Sequence, residues 1–174
     1  MKLHELLPAK KTDNTYHAII EIPAEETKVK YEYCMETGAI FVDRFMQTAF
    51  RYPCNYGFIP RTLGGDKDPI DVLVLAPFAL APGSVIEIRL VGVLVMEDEK
   101  GADEKLIALP TQKADASQAH IDDIDQINPT VLANIKHFFE HYKDLDKGKF
   151  VKVKGFQNKL SAEEIVSKAI EDFK

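Results

Sequence analysis

The spacing of apolar residues changes in the last third of this 174-residue chain, and that change limits the possible folds more than any other feature. Up to about residue 110, Val, Ile and aromatic residues come in short runs, YHAIIEIP, KYEYC, AIFVDRF, IDVLVL, SVIEIRLVGVLVM and KLIALP, which read as β-strands. Pro82-Gly83 supplies turn chemistry before the longest run. In that run Ile86, Ile88, Leu90, Leu94 and Met96 are expected to share one apolar face, with Gly92 marking a bend or bulge as at a barrel corner. From Asn128 the period becomes helical. Asn128 reads as an N-cap with Pro129 at the first helical position, and Val131, Leu132, Ile135, Phe138, Phe139, Tyr142 and Leu145 form an apolar stripe. A strand, KFVKVKGF, then precedes SAEEIVSKAIEDF, a helix opened by Ser161 with Glu164 completing a capping box. Short strands followed by two helices predict a mainly β, α+β fold: a small, twisted, mostly antiparallel barrel with helices packed outside.

No repeat, low-complexity tract or flexible linker divides the sequence, so residues 1–174 are expected to form a single domain. The net charge of −6, without a Lys/Arg block, argues against binding to nucleic acid or to anionic membranes. MKLHELLPAKK lacks the apolar stretch of a signal peptide, and no apolar run approaches a membrane span. Cys34 and Cys54, twenty residues apart and outside any CxxC pattern, read as small core residues of a reduced, cytoplasmic protein.

Against this ordinary background GGDKDPIDVLVL is unusual, because Asp66, Asp68 and Asp71 crowd the entrance to an apolar strand. If such carboxylates converge to about 5 Å, each ionised pair repels by roughly 3 kcal/mol at an effective dielectric near 20. Either they splay into water or something positive sits among them. An EF-hand loop does not fit, since counting from Asp66 puts Ile70 at the fifth position, Asp71 at the glycine position and Pro77 at the glutamate position. A second acidic cluster, MEDEKGADEK, follows the strand LVGVLVM, with Asp98 and Asp103 flanking Gly101. Glu21 lies inside AIIEIP, and Glu32 shares a strand face with Lys30. These seven acids could face one cavity. Oxygen donors without thiolates suit magnesium, or manganese as a substitute, and that many acids imply more than one ion.

Cations and tyrosines complete the pattern. Arg44 in FVDRF, Tyr52 and Tyr56 around the Pro/Gly turn of RYPCNYG, Lys105 after the second acidic loop and Tyr142-Lys143 at the helix end could supply donors to phosphate oxygens. Acids for metal beside cations for phosphate indicate phosphoryl transfer. HFFEH, residues 137–141, matches an H-x-x-E-H zinc-peptidase pattern, but Phe138 and Phe139 belong to the apolar stripe, and such a site also needs a third ligand and a substrate cleft. A single-stranded nucleic-acid module would need basic residues interleaved with aromatics, which this acidic chain does not offer.

Taken in order, IEIP, KYE, FVDRF, YPCNYG, the DxDPxD core, MEDEKGADEK and HFFEHYKDL with GKFVKV resemble the soluble, magnesium-dependent inorganic pyrophosphatases of the first family, bacterial type. The resemblance implies an OB-type five-stranded β-barrel, hydrolysis of pyrophosphate to two phosphates, and assembly as a homohexamer, a dimer of trimers, with His137 and His141 at subunit contacts. It further implies Asp68 as general base, and Asp66, Asp71 and Asp103 as ligands of one activating magnesium, with Asp71 sharing a second. Asp98 and Asp103 would hold a substrate-borne ion and Glu32 a further one. Lys30, Arg44, Tyr56, Tyr142 and Lys143 resemble the phosphate contacts, and Glu21, Tyr52 and Lys105 the supporting residues. Two positions depart from the pattern: Lys67 stands where a small or acidic residue is usual, and Phe150 where tryptophan is expected, as a packing exchange.

Overall fold

The period-2 runs do form strands. The computed structural model describes residues 2–99 and 101–174. Its strands are β1 (Lys10–Thr12), β2 (Thr15–Ile22), β3 (Val29–Tyr33), β4 (Ile40–Phe45), β5 (Asn55–Phe58), β6 (Asp71–Val74), β7 (Val85–Asp98), β8 (Gly101–Ala102), β9 (Lys105–Pro110) and β10 (Val151–Asn158). Its helices are α1 (Leu3–Leu6), α2 (Pro129–His141) and α3 (Lys159–Asp172), with a 3-10 turn at Ile124–Gln126.

β2 pairs with β5, β5 with β6, β6 with β9, β9 with β7, and β7 again with β2, so five strands close into a ring. Closure removes the free edges that an open sheet would present. Within the ring β6 and β9 run parallel and the other pairs antiparallel. β3 and β4 form a separate hairpin, and β10 adds to β7 outside the ring. β7 reaches all these partners because it is 14 residues long and pairs with β2 at its start, β9 in its middle and β10 at its end.

The register of β7 slips between Leu90 and Gly92, which confirms the expected bulge and corrects the expected face. One extra residue reverses the alternation. Ile88 and Leu90 therefore share a core with Val93, while Leu94 and Met96 lie with Val91 in the core on the other side. Gly92 is required at this corner, since a Cβ there would stand 2.7 Å from the Gln157 carbonyl and 2.8 Å from Ile124 Cβ.

α3 packs Ala162, Val166 and Ala169 against the side carrying Val72, Val74, Leu106 and Ala108. α2 packs Ile135, Phe138 and Phe139 against the alternate residues Leu73, Ile107 and Leu109. Asn128 caps α2 through Thr130 N–H, with Pro129 first in the helix, as the sequence predicts. The stripe is shorter than expected, because the helix ends at His141 and Leu145 is 59% exposed. α3 starts earlier than expected. Asn158, at the end of β10, caps it by accepting from Ser161 N–H, so Ser161 lies inside the first turn. Cys54 is buried, but Cys34 is partly exposed and is not a core residue. Phe150, 55% exposed, does not fill a core position, so it is not a packing exchange.

β5 was hidden from sequence reading because Pro53 and Gly57 resemble turn punctuation. Gly57 is instead a point of backbone contact between β5 and β2, where a Cβ would stand 2.0 Å from the Ile19 carbonyl oxygen. Gly57→Ala is expected to destabilise the protein by about 3 kcal/mol or more, at or above the upper end of ordinary overpacking, in urea unfolding. A loss below about 1 kcal/mol would contradict this strand contact.

Candidate active site

The parallel register of β6 and β9 sets Asp71 opposite Lys105 at the strand starts. Asp103 lies two residues before Lys105 and is anchored by its N–H to the Met96 carbonyl. The Lys105 ammonium bridges the carboxylates of Asp71 and Asp103. Its side chain is only 5% exposed. Asp98 ends β7 and Lys143 follows α2; Lys143 Nζ reaches Asp98 Oδ2 at 2.8 Å and Glu99 Oε2 at 3.4 Å. On the hairpin, Lys30 Nζ lies 2.9 Å from Asp43 Oδ2 and 3.6 Å from Glu32 Oε2. A lysine thus straddles each of these three pairs of acids, whereas Asp66 and Asp68 of the crowded sequence motif lie exposed.

All fourteen residues singled out from the sequence line one cavity of about 690 Å³. Glu21, Asp71, Asp98, Asp103 and Lys105 stand on barrel strands or their immediate ends, and Lys30, Glu32 and Arg44 on the hairpin. Asp66 and Asp68 lie exposed on the turn before β6, where Asp66 Oδ1 accepts from Asp68 N–H at 3.1 Å. The intervening Lys67 has φ +73°, a left-handed conformation that glycine adopts most readily. Tyr142 stacks on Phe138 with ring centres 5.2 Å apart. Tyr52, buried, packs between Tyr56 and Phe138, with centroids at 5.3 and 4.7 Å.

The predicted acids share the cavity but do not all converge. Among the described residues no three His, Cys, Asp or Glu side chains gather closely enough to form a metal cluster. Asp71 and Asp103 come together on Lys105, whereas Asp66 and Asp68 face the cavity from the turn. The wall nevertheless carries nine carboxyl side chains against five from Lys and Arg, an excess of negative charge that suits divalent ions. Its many oxygen donors, with no imidazole and with Cys34 and Met35 as the soft groups among the described lining residues, fit a hard cation such as magnesium.

Sequence reading missed Asp43, Glu99, Asp146 and Lys149. Asp43 was visible inside FVDRF, beside Arg44, but nothing in the spacing shows that its carboxylate turns toward Lys30. Partial burial raises its pKa, yet the Lys30 ammonium, the Arg44 guanidinium and Lys149 hold it below the usual carboxylate range. Arg44 Nη2 also lies 4.0 Å from Asp146 Oδ2.

Burial raises the tyrosine hydroxyls of Tyr56 and Tyr142, so both stay protonated as donors near neutral pH. Burial also raises Asp103, against the pull of Lys105. Glu21 is the most perturbed acid of the wall. Burial pushes its pKa up to about 7, opposed by a hydrogen bond accepted from Tyr33 N–H and reinforced by Asp71. That bond is 2.6 Å long.

A family model described as inorganic pyrophosphatase matches residues 18–174. The chain is 53% identical over 165 residues to an inorganic pyrophosphatase of Rickettsia bellii, covering 95% of this chain and 94% of that protein. The solved structure of an inorganic pyrophosphatase from Coxiella burnetii superposes with a TM-score of 0.94 at 46% identity, over 97% of this chain and all of that one. That from Helicobacter pylori gives 0.93 at 50% identity, over 97% of this chain and 98% of that one.

Glu21 sets a pH dependence of stability. Its folded pKa lies above its unfolded value, so the folded state holds the extra proton and stability falls as pH rises from about 4.5 to about 7. Glu21→Gln keeps the acceptor and removes the titration. In chelator-containing buffer the variant should match the parent near pH 4 and exceed it at pH 8, by up to roughly 3 kcal/mol. A difference that does not change with pH would contradict the assignment.

Proposed function

The chain belongs to the inorganic pyrophosphatase family, and from that premise we propose that it hydrolyses pyrophosphate to two phosphates in the cavity at the barrel mouth. The observation that carries the reading is that acids and phosphate donors scattered from Glu21 to Lys143 line this single cavity. The proposed division of labour follows their chemistry. Asp66, Asp71 and Asp103 would hold one magnesium, with Asp71 also contributing to a second, Asp98 and Asp103 would hold a substrate-borne ion, and Glu32 a further one. Magnesium in these places would neutralise phosphate charge and lower the pKa of water.

The protein's own groups then position the reaction. Lys30 and Lys143 offer point charges, Arg44 a planar fork, and Tyr56 and Tyr142 neutral hydroxyl donors to phosphoryl oxygens. Asp68, on an exposed turn facing the cavity, accepts a proton from the attacking water. The water oxygen bonds to one phosphorus as the bridging P–O bond breaks, and the second phosphate leaves with the electron pair. Lys105 and Glu21 keep the acidic wall in register, and Tyr52 packs beneath Tyr56. No helix among the described residues is long and apolar enough to cross a membrane. A cytoplasmic, single-domain protein assembled as a homohexamer, with His137 and His141 of α2 at the contacts, remains part of the proposal.

Phosphate release measured across pyrophosphate, polyphosphate and nucleoside triphosphates should show magnesium-dependent activity on pyrophosphate that chelator abolishes. Asp68→Asn should lower kcat by about 10²- to 10⁴-fold, the range of general-base catalysis. Full activity in that variant would remove Asp68 from the reaction.

A further inference from the structure

β3 and β4 pair Lys30 with Arg44 and then Tyr31 with Val42, so Asp43 is an extra residue with nothing opposite it. A bulge of this kind takes a side chain out of strict alternation and re-aims it. The carboxylate of Asp43 accordingly lies beside its neighbour, with the single oxygen Oδ2 at 2.9 Å from Lys30 Nζ and 3.3 Å from Arg44 Nη1. A phosphoryl oxygen held by these two side chains would meet the same surroundings, an ammonium and a guanidinium converging on one anionic oxygen.

Asp43 also differs from the acids that Lys105 binds. The Lys105 side chain is 5% exposed, whereas Lys30, Arg44 and Asp43 are 23%, 34% and 29% exposed, so their contact opens to solvent at modest cost. Neither cation depends on Asp43 alone, for Glu32 lies 3.6 Å from Lys30 Nζ and Asp146 4.0 Å from Arg44 Nη2. Both would keep a partner if Asp43 let go.

We propose that Asp43 is an internal anion that occupies the Lys30/Arg44 pair between turnovers, must be displaced when phosphate binds, and returns to help expel product. This rests on the reading of Lys30 and Arg44 as phosphate contacts. Asp43 is a positioning residue in this scheme and touches no reacting atom. Its charge lowers the affinity of the pair for any phosphate, substrate and product alike, because each must first separate two ion pairs.

Calorimetric titration with inorganic phosphate in magnesium buffer tests it, using the parent, Asp43→Asn, Asp43→Ser, Asp43→Glu and Lys30→Gln. Both neutral variants should bind phosphate more tightly, by about fivefold, the upper range for a part-exposed ion pair. They should also show a lower KM for pyrophosphate without a rise in kcat, while Asp43→Glu stays close to the parent. Unchanged or weaker phosphate binding in the neutral variants, with unfolding midpoints like the parent's, would overturn the proposal and leave Asp43 as a holder of the two cations. Lys30→Gln separates the two readings: unchanged phosphate binding there would overturn the phosphate-contact assignment, and the internal anion with it.

Discussion

The cavity depends on one electrostatic arrangement: acids too close to tolerate one another are separated by ammonium groups anchored on neighbouring elements. Lys105 spans Asp71 and Asp103, Lys143 spans Asp98 and Glu99, and Lys30 spans Asp43 and Glu32. For Asp71 and Asp103, held on one buried ammonium, repulsion at about 5 Å without it would be roughly 3 kcal/mol at an effective dielectric near 20, a large fraction of a domain's net stability. The lysines offset that repulsion, and the remaining excess of carboxylates leaves room for divalent ions.

The barrel explains why these groups meet. Parallel pairing of β6 with β9 aligns Asp71 with Lys105, and the bend of β7 brings Asp98 to the same mouth. The bulge in the hairpin delivers Asp43 to Lys30 and Arg44. Two small irregularities in register thus fix where charge lies, while the apolar cores under α2 and α3 supply the stability that a crowded acidic wall consumes.

Much of this was legible in the sequence, for identifiable reasons. β-branched residues at period 2 marked most strands, and Asn128-Pro129 marked the start of α2, because both signals are local. β5 was missed because the need for glycine at position 57 comes from the Ile19 carbonyl of another strand. The face assignment of β7 failed after Leu90, and Asp43 went unnoticed, because a bulge leaves no periodic trace. The start of α3 was placed late because its cap, Asn158, also ends a strand. Residue types named the chemistry of the cavity, but their pairing with particular lysines is tertiary and could not be read from spacing.

The most direct measurement is the unfolding free energy of Lys105→Met beside the parent, in chelator and then across a magnesium titration. If lysine and divalent ions share the task of holding Asp71 and Asp103 together, the variant loses about 3–5 kcal/mol in chelator and regains more than the parent as magnesium is added. Equal stability of the two proteins in chelator, with no effect of magnesium on either, would show that the acidic wall needs no counter-charge.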